Sequence, residues 1–298
     1  MKRLLEEYAT IEEHVSLKKY NTYRINGTAK YLVFPNSITD LSNVIKVLKE
    51  NDVKYYILGN GSNIVINDRE YDGAVIKLDK LNGIEVNPEK HMAYAEAGAM
   101  LPKLSQESID KGLTGLEFAI SIPGTIGGSI YGNAGAYNSC ILDYVESVTV
   151  LDENGDVRVI EHEDITYGYR YSMFKEQKNL IILGAKFFLK EGDKESSLEI
   201  IEDRRQRRVA TQPLEYPSAG SVFRNPEGDF AGRLIESCNL KGYKIGGAEV
   251  SEKHANFIIN SNNASGEDIY KLIKYVHSTV LEKTNVDLVI EQEFIDWE

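Results

Sequence analysis

Two glycine-rich stretches of the sequence have the composition of ligand-binding turns. "LGNGSN" occupies residues 58–63, and "SIPGTIGGSIYGNAGAY" at residues 121–137 places five glycines in seventeen positions. Glycine leaves consecutive backbone N–H groups uncovered, which suits a pyrophosphate or a flat ring lying against the chain. Neither stretch matches GxGxxG with a following acidic residue, or a P-loop ending in Lys-Ser/Thr. An ordinary Rossmann or P-loop nucleotide site is therefore not supported.

The overall charge argues against general attraction to polyanions. Thirty-four Lys and Arg against forty-six Asp and Glu leave a net charge of −12, which excludes nucleic acid and anionic membranes as expected partners. The run "RRQRR" at residues 204–208 ends a helical-looking segment, where cations are expected from the helix dipole alone. Any bound anion must therefore meet a local exception to the overall charge.

The composition also predicts where the protein is located and whether it binds a metal. No uninterrupted apolar run approaches the roughly 20 residues of a membrane-spanning helix, and glutamates interrupt the N-terminal segment as they would not in a secretory signal. We expect a cytoplasmic protein without membrane insertion. Cys140 and Cys238 lie in no metal-ligand spacing, so we expect no metal, no disulfide and two small buried hydrophobic residues.

Several elements are predicted to position the two turns. At 298 residues, the chain predicts two or three compact units. Ser37, followed by Asp40, is a predicted N-cap of an amphipathic helix, and Ser265 caps the strongest helical pattern in the chain. Asn154-Gly155 predicts a hairpin. Residues 286–295, "VDLVIEQEFI", are predicted to form a final strand.

A longer block around the second turn resembles a known family. "GLEFAISIPGTIGGSIYGNAGAY" at residues 115–137 is similar to the flavin-binding signature of the UDP-N-acetylenolpyruvoylglucosamine reductases. Other blocks resemble the same family in order over nearly the whole chain: "NTYRING" (21–27), "LGNGSN", "YGYRYSMFK" (167–175), "PSAGSVFRNP" (217–226), "AGRLIESCNLKGYKIGGAEVSEKHANFIIN" (231–260) and "LVIEQEFI" (288–295). Only "EGDF" separates "FRNP" from "AGRLIES", too short for the tyrosine-bearing loop of type I members, so the chain resembles type II.

The resemblance implies a fold and a reaction. The fold would be the vanillyl-alcohol-oxidase-like (PCMH-type) FAD-binding fold, with two α/β subdomains and a C-terminal α+β substrate domain. We expect boundaries at residues 1–80 with the tail 286–298, at 81–210 and at 211–285. Noncovalent FAD would take a hydride from NADPH and pass it to C3 of UDP-N-acetylglucosamine enolpyruvate, with protonation at C2. The product, UDP-N-acetylmuramate, is a peptidoglycan precursor, and the enzyme is expected to be a monomer.

The resemblance also assigns three catalytic residues. Arg170 would stabilise the negative charge that grows on the enolpyruvyl carboxylate during hydride addition. Ser221 would deliver the C2 proton, which requires a hydrogen-bonded proton supply because a free serine is a poor acid. Glu291 would help to polarise or protonate the enolate. Ser218 and Glu293 are the neighbouring alternatives, and the family's usual Pro-Glu-Val reads Ile-Glu-Gln here.

Further residues are carried over to the ligands. Asn26 replaces a usual glycine of the family, and asparagine tolerates the left-handed backbone that glycine favours. Asn138 stands where the family often has glycine, a departure to which the sequence assigns no function. His254 has the alternative of being a buried, hydrogen-bonded histidine. The expected UDP-sugar contacts are Tyr169, Arg224, Asn225, Lys253 and His254. The expected FAD contacts are Thr22, Tyr23, Arg24, Gly59, Asn60, Gly61, Ser62, Asn63, Pro123, Gly124, Thr125, Gly127, Gly128, Asn133, Gly135, Ala136 and Tyr137.

Two other functions compete with this interpretation. An oxidase of the same fold with covalently held FAD needs a tethering His or Cys, and Cys140 is the nearest thiol to the glycine stretch. A flavin-binding module without catalysis would have lost at least one of Arg170, Ser221 and Glu291, all of which are present. Both alternatives are therefore less well supported than the reductase.

Overall fold

The structure is a computed structural model that describes residues 1–297. Within these residues, no helix is both long and apolar enough to cross a bilayer. The α-helices are α1 Lys2–Leu5, α2 Ile38–Glu50, α3 Leu101–Asp110, α4 Ile126–Tyr131, α5 Lys194–Thr211, α6 Ala231–Ser237 and α7 Gly266–Thr284. Short 3₁₀ helices cover Lys18–Tyr20, Ile141–Tyr144, His162–Asp164 and Met173–Lys175.

The strands are mostly short. They are β1 Ala9–Ser16, β2 Thr28–Pro35, β3 Tyr55–Ile57, β4 Ile64–Ile66, β5 Glu70–Ile76, β6 Ile84–Asn87, β7 Met92–Glu96, β8 Leu113–Thr114, β9 Gly135–Ala136, β10 Ser139–Cys140, β11 Val145–Leu151, β12 Val157–Glu161, β13 Tyr167–Gly168, β14 Tyr171–Ser172, β15 Ile181–Phe188, β16 Lys190–Glu191, β17 Lys244–Ile245, β18 Ala248–Val250, β19 Ile258–Asn260 and β20 Glu293–Ile295. A four-stranded sheet has the order β1-β2-β5-β3, in which β3 and β5 are parallel.

The chain divides into two compact units. The first contains Met1–Glu13, Tyr31–Asn60 and Gly73–Gln206. Its largest sheet is antiparallel, with the order β12-β11-β15-β7-β6. The apolar faces of α2, α3 and α4 share one core with this sheet, so the first unit is an α/β structure.

The second unit contains His14–Lys30, Gly61–Asp72 and Arg207–Glu298. Helix α7 packs on the three-stranded sheet β17-β18-β19 and on α6, and its buried stripe forms the centre of a separate core. Strands β4 and β20 form a parallel pair in the same unit. The predicted division into three domains stays a prediction.

Both predicted helix caps are confirmed. The Ser37 hydroxyl accepts a hydrogen bond from the Asp40 N–H at 3.0 Å. Ser265 and Asp268 form a reciprocal capping box at the start of α7, as a hydroxyl followed three residues later by a carboxylate favours. The predicted hairpin is also confirmed, because β11 and β12 pair around Gly155, whose φ is +85°.

Two predictions differ from the structure. The final strand is limited to β20, because the chain bends at Gln292, whose side chain turns into the core and hydrogen-bonds to backbone elsewhere. Cys140 is only half-buried, since it lies on the short strand β10, whereas Cys238 is buried as expected. Both thiols are free. Burial, with Asp143 nearby, raises the pKa of the Cys140 thiol, which keeps it protonated and poorly nucleophilic.

Glu117 connects the start of the flavin-like block to helix α5. Its buried carboxylate accepts hydrogen bonds from the Thr114 hydroxyl at 2.5 Å, the Gly115 N–H at 2.9 Å and the Ser197 hydroxyl at 2.7 Å. Burial alone would raise the pKa of Glu117, but these hydrogen bonds outweigh it and lower the pKa below its usual value. The ionised form is therefore the one that the fold stabilises.

Glu117→Gln is expected to lower the free energy of unfolding at neutral pH by about 1–3 kcal/mol, because an amide satisfies fewer of the three donors. The folded pKa lies below the unfolded value of 4.5. The contribution of Glu117 is therefore present above about pH 4.5 and lost as pH falls through the folded pKa. Chemical unfolding between about pH 3 and pH 7 should show the two proteins converging in acid. A stability difference that does not change with pH would contradict this role.

Candidate functional site

The turn at residues 58–63 follows β3 and carries a run of unpaired donors. Within the described residues 1–297, the N–H groups of Gly59, Asn60, Gly61, Ser62 and Asn63 donate to no protein acceptor. Gly61 has a φ of +66°, and a Cβ added there would lie 2.2 Å from the carbonyl oxygen of Tyr20. Because successive unpaired backbone N–H groups form an anion-binding concavity, this turn suits an anionic ligand such as a diphosphate.

Lys77, which sequence reasoning missed, fixes the orientation of this turn. Its ammonium donates to the carbonyl of Gly59 at 2.5 Å and lies 3.2 Å from Asp79. The side chain is only 6% exposed, and burial lowers the pKa of Lys77. In a trans peptide the carbonyl and the next N–H point in opposite directions, so the Asn60 N–H faces away from Lys77. The sequence signal that could have identified Lys77 is a charged residue inside the apolar run "GAVIKL".

The two glycine-rich turns, predicted from distant parts of the sequence, meet in the structure. The Asn60 amide donates to the carbonyl of Pro123 at 2.7 Å. A Cβ on Gly59 would lie 2.8 Å from the Thr125 hydroxyl, which caps α4 and accepts from the Gly128 N–H at 3.3 Å. These contacts explain why the turn needs glycine at position 59, since any side chain there would displace Thr125.

The first turn of α4 leaves one buried hydroxyl without a partner. A Cβ on Gly124 would lie 2.8 Å from Ser129 Oγ, and one on Gly127 would lie 3.1 Å from the Cβ of Ala97. Ser129 is buried, and its hydroxyl has no hydrogen-bond partner within the described residues. A buried polar atom without a partner is costly, and a bound ligand with an acceptor would satisfy it.

Asn133 positions its neighbours and is too buried to be a principal ligand contact. It is 1% exposed, donates to the carbonyl of Gly168 at 2.8 Å and accepts from the Leu142 N–H at 3.3 Å. Gly135 and Ala136 follow as the short strand β9. The amide of Asn133 therefore links the glycine stretch to the hairpin of β13 and β14.

Tyr137 and Asn138 form the tight turn between β9 and β10. Both have positive φ, +55° and +59°, as a two-residue type I′ hairpin turn requires. This conformation explains why asparagine replaces the family's usual glycine at position 138. The ring of Tyr137 lies 4.6 Å under the guanidinium of Arg204 and its hydroxyl donates to the Arg204 carbonyl at 3.4 Å. The aromatic face of Tyr137 is therefore already used by α5.

Arg170 lies at the tip of the hairpin formed by β13 and β14. Its φ of +56° is unusual for a long side chain, and such strain is found at sites where function fixes the backbone. Its guanidinium lies 5.3 Å from the ring centroid of Tyr169, which is 57% exposed. The buried Ser172 hydroxyl donates to the carbonyl of Tyr131 at 2.7 Å, so this hairpin is attached to α4.

In the second unit, Ser221 lies on an extended segment between two others. It forms an isolated bridge with Phe257, and the Val222 N–H donates to the carbonyl of Asn256 at 2.9 Å. Gly220 has a φ of +74° with open space where a Cβ would lie, so its backbone conformation alone requires glycine. The Ser221 hydroxyl makes no hydrogen bond within residues 1–297. It is therefore available to a ligand.

Glu291 lies on the other side of the same segment. Its N–H donates to the carbonyl of Val222 at 2.8 Å, and its carbonyl accepts from the Asn63 amide at 3.1 Å. The bend at Gln292 separates it from Glu293, which belongs to β20 beside β4. The simple strand alternation that made Glu293 an equivalent alternative is therefore absent.

The segment "NTYR" at residues 21–24 is split among three environments. Thr22 donates through its N–H and its hydroxyl to the carbonyl of Gly61, at 3.1 and 3.3 Å. Tyr23 is fully buried and donates its hydroxyl to Gln292 at 3.0 Å, so it cannot touch a ligand directly. Burial raises its pKa. Arg24 is exposed, with a φ of +54°.

Arg24 contributes to a cationic cavity of about 680 Å³. Lys18, Lys19, Asn21 and Arg24 contribute to its lining, and no carboxylate of residues 1–297 does. Asn21 is buried and holds the surrounding loop by donating to the carbonyls of Leu17 and Ile25. This cavity is a local exception to the net charge of −12.

The candidate substrate residues Arg224 and Asn225 differ in availability. Arg224 has a buried Nε without a hydrogen-bond partner in the described chain, while its backbone N–H donates to the carbonyl of Val289. The Asn225 side chain accepts from the Ala231 N–H at 3.1 Å at the start of α6. Arg224 is thus the stronger ligand candidate, and Asn225 shapes the loop.

Lys253 and His254 make mainly internal contacts. The Lys253 ammonium donates to the carbonyl of Val209 at 2.7 Å and lies 3.8 Å from Glu215. His254 accepts through Nδ1 from the Asn256 N–H at 3.2 Å, and burial lowers its pKa. These contacts fit the alternative interpretation of His254 as a structural histidine.

Sequence and structure comparisons place this geometry in a family. Residues 29–161 match the model described as FAD binding domain, and residues 212–295 match UDP-N-acetylenolpyruvoylglucosamine reductase, C-terminal domain. The UDP-N-acetylenolpyruvoylglucosamine reductase of Caldicellulosiruptor saccharolyticus is 44% identical over 94% of this chain and 90% of its own. The chain belongs to the UDP-N-acetylenolpyruvoylglucosamine reductase family.

Structural neighbours of this reductase family member agree with the predicted fold. The reductase from Thermus caldophilus has a TM-score of 0.82 and 32% identity, over 96% of this chain and 99% of its own. A grass pollen allergen with glucose dehydrogenase activity has a TM-score of 0.50 at 14% identity, over 74% of this chain and 51% of its own, which shows the fold alone. The expected vanillyl-alcohol-oxidase-like FAD-binding fold is confirmed.

The residues of this reductase fit its FAD. Unpaired N–H groups at Gly59 and Asn60 suit the diphosphate, and the unpartnered Ser129 hydroxyl lies in the glycine stretch that these two residues contact within the first unit. Glycines 59, 124 and 127 lie where a Cβ would collide with the surrounding chain, so the backbone itself forms the surface. The expectation of FAD as the cofactor is confirmed, whereas its individual contacts stay predictions.

Lys77→Met is expected to weaken FAD binding about tenfold, because the Gly59 carbonyl loses its charged donor and the turn loses its fixed orientation. Titration of deflavinated protein with FAD measures the dissociation constant. Lys80→Met is the matched control, since Lys80 is exposed and, among the residues described, hydrogen-bonds only to Thr10 and Asn36. Equal FAD affinity in the wild type and both variants would contradict the role of Lys77.

Proposed function

We propose that this chain reduces UDP-N-acetylglucosamine enolpyruvate to UDP-N-acetylmuramate with NADPH, using Arg170, Ser221 and Glu291. The observation that carries the residue assignment is the unpartnered hydroxyl of Ser221, on a segment hydrogen-bonded to the backbone of Glu291. Bound FAD, held noncovalently, supplies hydride transfer from NADPH to C3 of the enolpyruvyl group. The protein must then manage the charge and the proton.

Arg170 stabilises the negative charge that develops on the substrate. Hydride addition at C3 moves electron density toward the enolpyruvyl carboxylate, and a planar guanidinium binds a carboxylate through two parallel hydrogen bonds. The strained turn with φ of +56° and the hairpin attachment through Ser172 hold the backbone of Arg170 before substrate arrives. Donors that are already oriented lower the barrier most, because they need no reorganisation during the reaction.

Ser221 donates the proton that is added at C2. Its hydroxyl transfers a proton to C2 of the enolate, and the remaining alkoxide takes a proton from solvent, because no group within residues 1–297 hydrogen-bonds to the Ser221 hydroxyl. Glu291 acts on the same enolate region, and its position beside Val222 supports that assignment. Arg224, with its buried Nε lacking a partner, is proposed to bind the UDP-sugar together with Tyr169.

The compartment, the oligomeric state and the type II character are proposed as the sequence predicts them. We place the enzyme in the cytoplasm, as a monomer, where two free cysteines are compatible with a reducing compartment. The connection from Pro226 to Phe230 contains only a short turn, which supports type II character. The raised pKa of the Cys140 thiol disfavours a covalent flavin link.

Ser221→Ala is expected to keep flavin reduction by NADPH within about twofold of wild type and to slow flavin reoxidation by the enolpyruvyl substrate by at least about a hundredfold. The reason is that only the second half-reaction needs the C2 proton. Anaerobic stopped-flow absorbance of the flavin measures both halves. Ser218→Ala is the matched control. Equal loss of both half-reactions would refute the proton-donor role.

Arg170→Lys is expected to lower kcat for the enolpyruvyl substrate by about a hundredfold, because an ammonium cannot make the bidentate contact. NADPH oxidation in steady state measures the loss, and flavin content shows that the cofactor is retained. Arg158→Lys, on the exposed strand β12, is the matched control. A kcat for Arg170→Lys close to that of wild type would remove Arg170 from the mechanism.

A further inference from the structure

Gln292 joins three parts of the second unit through one buried amide. The residue is 4% exposed. Its Nε2 donates to the carbonyls of Ala219 and Gly220, at 3.1 and 3.5 Å, and its Oε1 accepts from the Tyr23 hydroxyl at 3.0 Å. Both amide hydrogens and one oxygen lone pair are thus used, which fixes the orientation of the side chain.

The two carbonyls held by Gln292 immediately precede Ser221. Gly220 adopts a φ of +74°, and a Cβ added there would have no neighbour within 4 Å. Glycine is the residue with the widest conformational freedom, and its neighbours Ala219 and Val222 are held by burial, each being 1% exposed. The amide of Gln292 adds a restraint on the carbonyls of Ala219 and Gly220 themselves.

The other end of the connection reaches the flavin-binding turn. Tyr23 follows Thr22, which donates twice to the carbonyl of Gly61. The carbonyl of Tyr23 is itself held by the Asn260 amide at 2.9 Å. A continuous series of hydrogen bonds and peptide units therefore runs from Gly61 through Thr22, Tyr23 and Gln292 to the Ser221 turn.

We propose that Gln292, supported by Tyr23, is a positioning residue that sets the Ser221 hydroxyl for proton delivery to substrate and couples its position to the diphosphate-binding turn. This inference rests on the proposed role of Ser221 as the proton donor. Gln292 touches no ligand, because its side chain is buried among protein groups. Its effect therefore falls on the step that uses Ser221 and spares the step that does not.

The hydrogen bonds of Gln292 can be removed by substitution. Gln292→Val leaves an apolar side chain at this buried position and removes all three hydrogen bonds at once. A displacement of the reacting group by about 1 Å costs up to about a hundredfold in rate. We expect Gln292→Val to slow substrate-dependent flavin reoxidation about tenfold or more, and to leave reduction by NADPH within about twofold of wild type.

A second variant covers the case in which Gln292→Val fails to fold. Tyr23→Phe keeps the ring in the core and removes only the hydroxyl that orients the Gln292 amide. We expect a smaller loss in the same half-reaction and a larger solvent isotope effect on reoxidation, because proton delivery becomes more limiting. Ser265→Ala is the stability control: it removes the cap of α7, which destabilises the unit without touching the Ser221 turn.

The experiment is anaerobic stopped-flow of the FAD-loaded enzymes, run with thermal unfolding of each variant and with Ser221→Ala alongside. Slow reoxidation with an increased isotope effect in Gln292→Val or Tyr23→Phe, absent from an equally destabilised Ser265→Ala, supports the inference. Reoxidation rates that follow thermal stability across all variants would overturn it. If Ser221→Ala itself reoxidises like wild type, the proton-donor proposal fails first; if it is blocked while the Gln292 variants match the control, only the positioning inference fails.

Discussion

Hydrogen bonds from side chains to the carbonyls of glycine-rich turns are the constraint on which this structure depends. A glycine turn exposes its donors to a ligand, but it also has many alternative conformations and loses more entropy on folding than other residues. Lys77 on the carbonyl of Gly59, Asn60 on Pro123 and Gln292 on Ala219 each restrict such a turn from outside. Because these hydrogen bonds are made to the carbonyls of the turns, the N–H groups of the turns remain available to a ligand.

Side-chain donors also hold a hairpin in which a residue other than glycine has a positive φ. Asn138 and Arg170 both hold positive φ at the tips of two-residue hairpins. Asn138 tolerates that conformation well, whereas Arg170 occupies it at an energetic cost. The hairpin of Arg170 is held by two hydrogen bonds, one from the Asn133 amide just after α4 to the carbonyl of Gly168 in the hairpin, and one from Ser172 in the hairpin to the carbonyl of Tyr131 in α4. The strained backbone thus lies on a supported element.

Much of the fold followed from local sequence. The caps at Ser37 and Ser265 and the hairpin at Gly155 were predictable because each depends on residues within a few positions of one another. The final strand was overestimated because its alternating pattern ignores the buried hydrogen bonds of Gln292, whose partners are more than seventy residues away. Long-range polar contacts of this kind leave no periodic signal.

The residues of the candidate site also differ in whether the sequence could predict them. Family resemblance supplied Arg170, Ser221 and Glu291, and the two glycine turns were visible from composition. Lys77 and Gln292 were not, because a buried lysine and a buried glutamine are recognised only from the carbonyls they meet. Tyr23 was expected to contact the cofactor, yet its ring is fully buried and its hydroxyl donates to Gln292.

A crystal structure of the chain with FAD tests the central claim most directly. We expect the diphosphate oxygens to accept hydrogen bonds from N–H groups within residues 59–63, with Lys77 still donating to the Gly59 carbonyl. A diphosphate bound elsewhere, with those N–H groups facing solvent, would contradict the claim.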